Sequence, residues 1–333
     1  MQGVAQKQRL SNMCNDGLGS WYTWDASGDD IGAENGTELL TNLDGFYRDL
    51  SLYFTAKIVL YVFILVISIF GFMGNGTVIW FLGFCMKRNP FTTFILHLAV
   101  ADLGVLICLS SCLIMYLLMS FSSLPMNMFV EFSEVFLLFM YNTGQYLLTA
   151  ISMDRCVSVV FPFWHRCHRP PHFSTLVCAT IWIISFLFTV ICWILYIFNI
   201  MMELHFYQLL MNAVLCLPLM TVSTLVLFIK VWFQSQQRKK GKALRAILLA
   251  LIIFLFLAFP FTFIVLINFF TSLINYKVQS VAIPAGLFCS CLNSSINPLI
   301  YFLIGRNKRA RSRESMKVIL QRLFKEEEDC REK

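Results

Sequence analysis

FLLFMYNTGQYLLTAISMDRCVSVVFPFWHRCHRPP, residues 136–171, decides how the chain is read. Its first two-thirds are almost wholly apolar and long enough to cross a bilayer, which takes about 20 helical residues. With no turn residue between, Asp154, Arg155 and Cys156 follow, placing adjacent ions at the end of a membrane helix. Pro162 stops that helix, and Arg166, His168 and Arg169 make a short basic loop. Alone, such ions are usually a snorkelling arginine or a stop-transfer mark. Their neighbours decide whether they are more.

The 333 residues are 58% hydrophobic and 14% charged, far from the balance of a soluble domain. Apolar residues fall in runs, not in a stripe of helical period, as in helices that are apolar all round. The chain is expected to be an all-α integral membrane protein with spans near 57–84, 91–119, 131–161, 172–198, 206–233, 243–270 and 279–304. Loops after the first, third and fifth spans carry Lys87, Arg88, Arg166, Arg169, Arg238, Lys239, Lys240, Lys242 and Arg245. The opposite loops offer Lys277 among bases, against Glu131, Glu134 and Glu203. The positive-inside rule then puts the amino terminus outside and the carboxyl terminus in the cytoplasm of a multi-pass plasma-membrane protein.

Three segments follow. Residues 1–56 form an acidic extracellular arm with too few apolar residues to offset the entropy of ordering. It has no apolar core of a cleavable signal, so the first span serves as its own insertion signal. Asn35, in Asn35-Gly36-Thr37, is the glycosylation acceptor that an outside location makes meaningful. Residues 57–304 form the seven-helix bundle. In residues 305–333, Met316, Ile319, Leu320, Leu323 and Phe324 recur at helical spacing among bases. That pattern suits a short amphipathic helix on the lipids of the inner leaflet.

Most of the twelve cysteines lie in spans, where cysteine acts as a small apolar filler. None has zinc-type spacing with histidine partners, so neither a metal nor another cofactor is expected. His165 and His168 read as solvated or lipid-facing. Nothing points to a nucleic-acid partner. The informative residues are polar groups inside the bilayer, where they are expensive and face the bundle interior. Asp102 stands mid-span, and Asn75, Asn293, Ser294 and Asn297 are the groups best placed to meet it. A structural hydrogen-bond network and a cation or proton site both fit that set. Pro218 and Pro260 fall mid-span, where each removes a backbone bond and bends its helix.

In their order along the chain, Gly74-Asn75, Leu98-Ala99-Val100-Ala101-Asp102, Asp154-Arg155-Cys156, Trp182, Pro218, Pro260 and Asn297-Pro298-Leu299-Ile300-Tyr301 resemble a rhodopsin-class G-protein-coupled receptor. KRNPFT (87–92), YNTGQYLLTAIS (141–152), FPFWHRCHRP (161–170) and INPLIYFLIG (296–305) resemble the Mas-related receptors. The resemblance implies an extracellular ligand and a heterotrimeric G protein as partners. It makes Arg155 the cytoplasmic switch, held at rest by Asp154, and Phe163 the apolar knob that docks on the G protein. Asp102, Asn293, Ser294 and Asn297 become the polar core pocket, and Tyr301 the tyrosine that swings inward. Tyr141, Phe261, Thr262, Val265 and Leu287 would line the floor of the ligand pocket.

Departures from the class are as informative. Val130 replaces the usual cysteine atop the third span, and residues 198–205 contain no cysteine, so the disulfide typical of the class is expected to be missing. Tyr196 and Met202 stand where some Mas-related receptors place another bond. Leu257-Ala258-Phe259-Pro260 lacks the usual tryptophan, Gly144 replaces a serine that often helps hold sodium, and Val226 replaces a tyrosine of the fifth span. Leu137 occupies the place of the aspartate that amine receptors use, which argues against a monoamine. Glu134 lies one turn above Leu137 and two above Tyr141, on the same helix face, and becomes the expected partner of a cationic or amphipathic ligand. A retinal protein needs a mid-membrane lysine in the last span, and 279–304 has none. Repeated halves of a transporter and the nucleophile–base or metal constellation of an enzyme are not seen. A non-signalling seven-helix scaffold, and a receptor of a neighbouring class, remain the rivals.

Overall fold

The computed structural model describes residues 36–86, 89–121, 127–167, 169–170, 172–198, 204–233, 252–253, 255–257, 259–260, 262–264, 267 and 276–305. Contacts divide the chain into two units, Met1–Ala56 with Tyr116–Pro125 and Lys57–Met115 with Met126–Lys333. The described part of the smaller unit is helical and is continuous with the first two spans; the sites below lie in the larger one.

The first span belongs to a helix that starts at Gly36, well before the expected edge, and runs to Trp80. Between residues 37 and 56 there is no proline and a single glycine, Gly45. Once the apolar span has nucleated, nothing local stops propagation outward, since each added residue gains a backbone bond. The helix widens into a π-helical turn at Phe81–Cys85 and stops at Met86, whose backbone is extended.

The second span, Pro90–Phe121, has a reciprocal cap. Asn89 Oδ1 accepts from the amides of Phe91 (3.1 Å) and Thr92 (2.8 Å), and Thr92 Oγ1 accepts from the Asn89 amide at 2.8 Å. With Pro90 pre-set for the first helical position, this fixes the start of the helix and so the place of Phe91. The third span is Asn127–Val160, and Pro162 opens a short loop helix, Pro162–Cys167. Phe173–Ile197 is the fourth span. The fifth is Leu204–Met211, a π-helical turn at Asn212–Cys216, then Leu217–Phe233. A wide π-helical turn thus lies just before Pro218, the residue at which a bend is expected. The described residues of the sixth span are helical, and the seventh, Tyr276–Gly305, contains Pro284 and Pro298.

Among the described residues, four helices are long and apolar enough to cross a membrane: Thr55–Cys85, Pro90–Leu118, Phe173–Ile197 and Tyr207–Lys230. The third and seventh are more polar, because Asn142, Gln145, Asn293 and Asn297 are buried inside the protein. Large apolar side chains such as Phe70, Ile183, Leu187 and Val222 face outward instead. That inversion suits hydrocarbon, where water does not drive burial and buried polar groups hold helices together. The third span packs against the fourth and fifth. Leu98, Leu147, Leu148, Met220 and Phe259 form the heart of the apolar core.

Small residues let the helices approach. A Cβ on Gly71 would come within 2.5 Å of both Leu106 Cδ1 and Ser295 Oγ. Gly71→Val is therefore expected to destabilise the bundle by about 1–3 kcal/mol through overpacking. Gly76→Ala meets nothing within 4 Å and should leave stability within about 0.5 kcal/mol. Thermal inactivation of the detergent-solubilised protein separates them, and equal midpoints would contradict the close approach.

Candidate functional site

The carboxy-terminal end of the third span holds a buried ionic cluster. Asp154 Oδ2 accepts from Arg155 Nη2 at 3.2 Å, and Asp154 Oδ1 lies 2.8 Å from Arg169 Nη2. All three side chains are only 7% exposed. Arg169 also donates to Ser174 Oγ at 2.6 Å and reaches His165 Nε2 at 2.7 Å. A guanidinium only donates, so His165 Nε2 is the acceptor in that contact. The approach of the same nitrogen to Asp154, 3.5 Å, is then packing and not a second bond. The expectation that His165 would be solvated or lipid-facing is corrected: its side chain is 10% exposed and wedged between Asp154 and Arg169. The cause is the turn at Pro162, which folds the loop helix back under the end of the third span.

Arg155 has a second contact that its sequence neighbours do not suggest. Its guanidinium carbon lies 4.0 Å from the centroid of the Phe91 ring, at the start of the second span. This is well inside the range of a cation–π interaction. Phe163, on the loop helix, is 75% exposed and projects away from the core.

Deeper in the bundle, Asn297 Nδ2 donates to Asp102 Oδ2 at 2.6 Å, and Ser294 also hydrogen-bonds that carboxyl. Asn75 Nδ2 donates to the carbonyls of Ser294 at 2.9 Å and Gly71 at 3.1 Å. Spans one, two and seven are thereby stitched at one level. Asn293 is buried on the same stretch of the seventh span, but among the described hydrogen bonds none joins it to Asp102.

Toward the amino-terminal end of the third span, three of the expected pocket residues meet. Tyr141 Oη and Thr262 Oγ1 are 3.4 Å apart, both buried. Leu287 packs on the cluster of Tyr141, Val105 and Leu209, with Leu137 and Met140 beside it. Glu134 is half-buried above this floor, near Glu131 and Cys112, whereas Glu131 is exposed. Next to Tyr141, an amide chain went unforeseen. Asn142 Nδ2 donates to Gln208 Oε1 at 2.7 Å, and Asn212 Nδ2 donates to Asn142 Oδ1 at 2.6 Å. All three residues are fully buried, and they tie the third span to the fifth where the fifth widens. Their signal was available, since each is an uncharged amide in an apolar run. Trp182 Nε1 donates to His97 Nδ1 at 3.2 Å, joining the fourth span to the second. The described cysteines are free thiols.

Asn35, Phe261, Val265, Lys240, Glu203 and the tail beyond Gly305 lie outside the described residues, as does the side chain of Tyr301.

Comparison with known proteins agrees with this arrangement. The sequence profile described as "7 transmembrane receptor (rhodopsin family)" matches residues 74–301. Rat "Proto-oncogene Mas" is 39% identical over 274 residues, covering 79% of this chain and 83% of that protein. Human "Proto-oncogene Mas" is 39% identical over 275 residues, 79% of this chain and 82% of that protein. Rat "Mas-related G-protein coupled receptor member H" is 37% identical over 268 residues, with 79% and 82% covered. A match from the first span to the seventh, with the relatives covered over most of their length, leaves one placement. The chain is a multi-pass membrane receptor and belongs to the rhodopsin family of seven-transmembrane receptors, within its Mas-related group.

Proposed function

We propose that this receptor binds a cationic or amphipathic ligand, a basic peptide above all, at its outer face and activates a heterotrimeric G protein at its inner face. The amino terminus lies outside, with Asn35 glycosylated, and the tail lies on the inner leaflet. The observation that carries the reading is a buried guanidinium, Arg155, held by Asp154 and by the Phe91 ring, with Phe163 exposed on the loop helix that follows this span. A charge stored out of water at the rim of a bundle, with an apolar knob exposed on the following loop helix, suits a two-state switch biased by what binds either face. Tyr141, Thr262 and Leu287, with Phe261 and Val265, floor the ligand pocket. Asp102, Asn75, Asn293, Ser294 and Asn297 form the polar pivot through which helix motion passes, and Tyr301 moves toward it.

The test is expression in cells with a panel of G proteins, read without ligand and with a set of basic peptides and amphiphiles. Nucleotide exchange on one G-protein class in response to a basic peptide is expected. Silence across the whole panel favours a non-signalling scaffold.

Appreciable ligand-free activity belongs to the same reading. By resemblance, Lys240 stands where much of the class has an acid that pairs with the switch arginine. Replacing a like charge by an opposite one at this rim is worth about 0.5–1 kcal/mol, or about two- to fivefold in a two-state population. Lys240→Glu is therefore expected to lower ligand-free signalling by that factor. An unchanged baseline would make Lys240 a solvated inner-leaflet base.

A further inference from the structure

We infer that the ring of Phe91 is a brake on the switch: a positioning group on the second span that restrains Arg155 through a cation–π contact and so keeps the ligand-free receptor at rest. This rests on the reading of Arg155 as the switch, in which the closed Asp154–Arg155 pair marks the resting arrangement. Asp154 precedes Arg155 on the same helix, so their bond sets the direction of a side chain and does not tie the third span to a neighbour. The Phe91 contact does cross between spans. Whatever else Arg155 touches, its guanidinium carbon stands 4.0 Å from the centroid of a ring carried by Pro90–Phe121.

Burial gives the contact its strength. Phe91 and Arg155 are each 6% exposed, and a guanidinium over a ring face gains more from the ring quadrupole once water is excluded. Being planar and weakly hydrated, a guanidinium also stacks on a ring more readily than an ammonium does. The ring's support is rigid. Asn89 Oδ1 accepts from the Phe91 and Thr92 amides, Thr92 Oγ1 accepts from the Asn89 amide, and Thr93 Oγ1 donates to the Asn89 carbonyl at 3.0 Å. These bonds fix the backbone that carries Phe91, and its ring belongs to the apolar core with Phe94 and Ile95. A ring held this way does not follow Arg155, so an outward turn of Arg155 breaks the contact. Weakening the ring face therefore makes leaving the resting state easier and raises the fraction of receptor able to take a G protein.

Fluorination tests the ring face with almost no change in shape. Stop-codon suppression puts mono-, di- or trifluorinated phenylalanine in place of Phe91, each step draining more negative charge from the face. The readout is the affinity of the ligand-free receptor, in apyrase-treated membranes, for nucleotide-free G protein of every class. That affinity scales with the fraction of receptor in the competent state, however small the fraction is. It is expected to strengthen with each added fluorine, by about three- to tenfold for the trifluorinated ring. A ring that merely supports the fold would leave binding unchanged or weaken it, and either result overturns the inference. Arg155→Ala in the same assay keeps the two readings apart. If it binds G protein like the parent, or if the parent binds no class, the switch assignment itself fails and takes the brake with it. If it loses binding while the fluorinated rings leave binding at the parental level, only the brake fails.

Discussion

Arg155→Ala is expected to reduce G-protein activation by at least about tenfold while surface expression stays near that of the parent. The loss follows from removing a charged donor whose contacts with a partner surface are worth about 1.5–3 kcal/mol. Preserved expression follows from the cluster around it. Truncating one member of a buried ion pair usually strands its partner, at a cost of about 3–5 kcal/mol. Here Asp154 keeps Arg169 at 2.8 Å, so its charge stays compensated. The resting fold loses, among the contacts of Arg155, the one with the Phe91 ring, worth about 1–2 kcal/mol when desolvated. Surface labelling beside nucleotide exchange on the same cells separates the two effects. A well-expressed mutant that signals normally would return Arg155 to the role of a depth anchor.

Glu134→Gln is expected to cost a basic-peptide agonist ten- to a hundredfold in potency, from the loss of a charge-assisted contact worth about 1.5–3 kcal/mol. Glu131→Gln should change it little. Both acids belong to the first two turns of the third span, yet Glu134 is half-buried and Glu131 exposed. A carboxylate set against Cys112 and above the Tyr141 floor has little water around it and gains more from an arriving cation than a solvated one does. The amide replacement keeps shape and hydrogen bonding and deletes charge alone. Dose–response curves for the two single mutants against the parent decide it. Equal potency in both, or an anionic agonist, would remove Glu134 from the site.

Much of this architecture was legible because it is written locally. The apolar runs mark the spans, and Asp102 with Asn297 stands out because charge and amide inside a bilayer need each other. Resemblance put Tyr141 and Thr262 on one pocket floor, but no pattern in the residues gave the contact between them. What stayed hidden is of another kind. Phe91 looks like any aromatic at a helix start, and only folding brings its ring under Arg155. Arg169 looked like one base in a basic loop, since charge counting cannot tell a solvated arginine from one buried against Asp154. The helical start at Gly36 was missed because polar composition argues against ordering by burial but is silent on propagation from an existing helix.

The widened turn in the fifth span alters the bookkeeping of which side faces inward. Gln208, Asn212, Cys216, Met220 and Thr224 are all buried, and they recur at every fourth position. A uniform helix turns about 100° per residue, so sixteen residues of strict four-spacing would carry the last about 160° away from the first. On a constant-pitch wheel, Thr224 would then face lipid while Gln208 faced the third span. The π-helical turn at Asn212–Cys216 takes in roughly one residue without advancing the rotation, cutting that drift to about 60°. Both Asn142, bonded to Gln208 and Asn212, and Ser152, 3.3 Å from Thr224, can therefore meet the same helix. The turn works as a phase corrector: it lets the outer and inner halves of one span keep a single face toward the third.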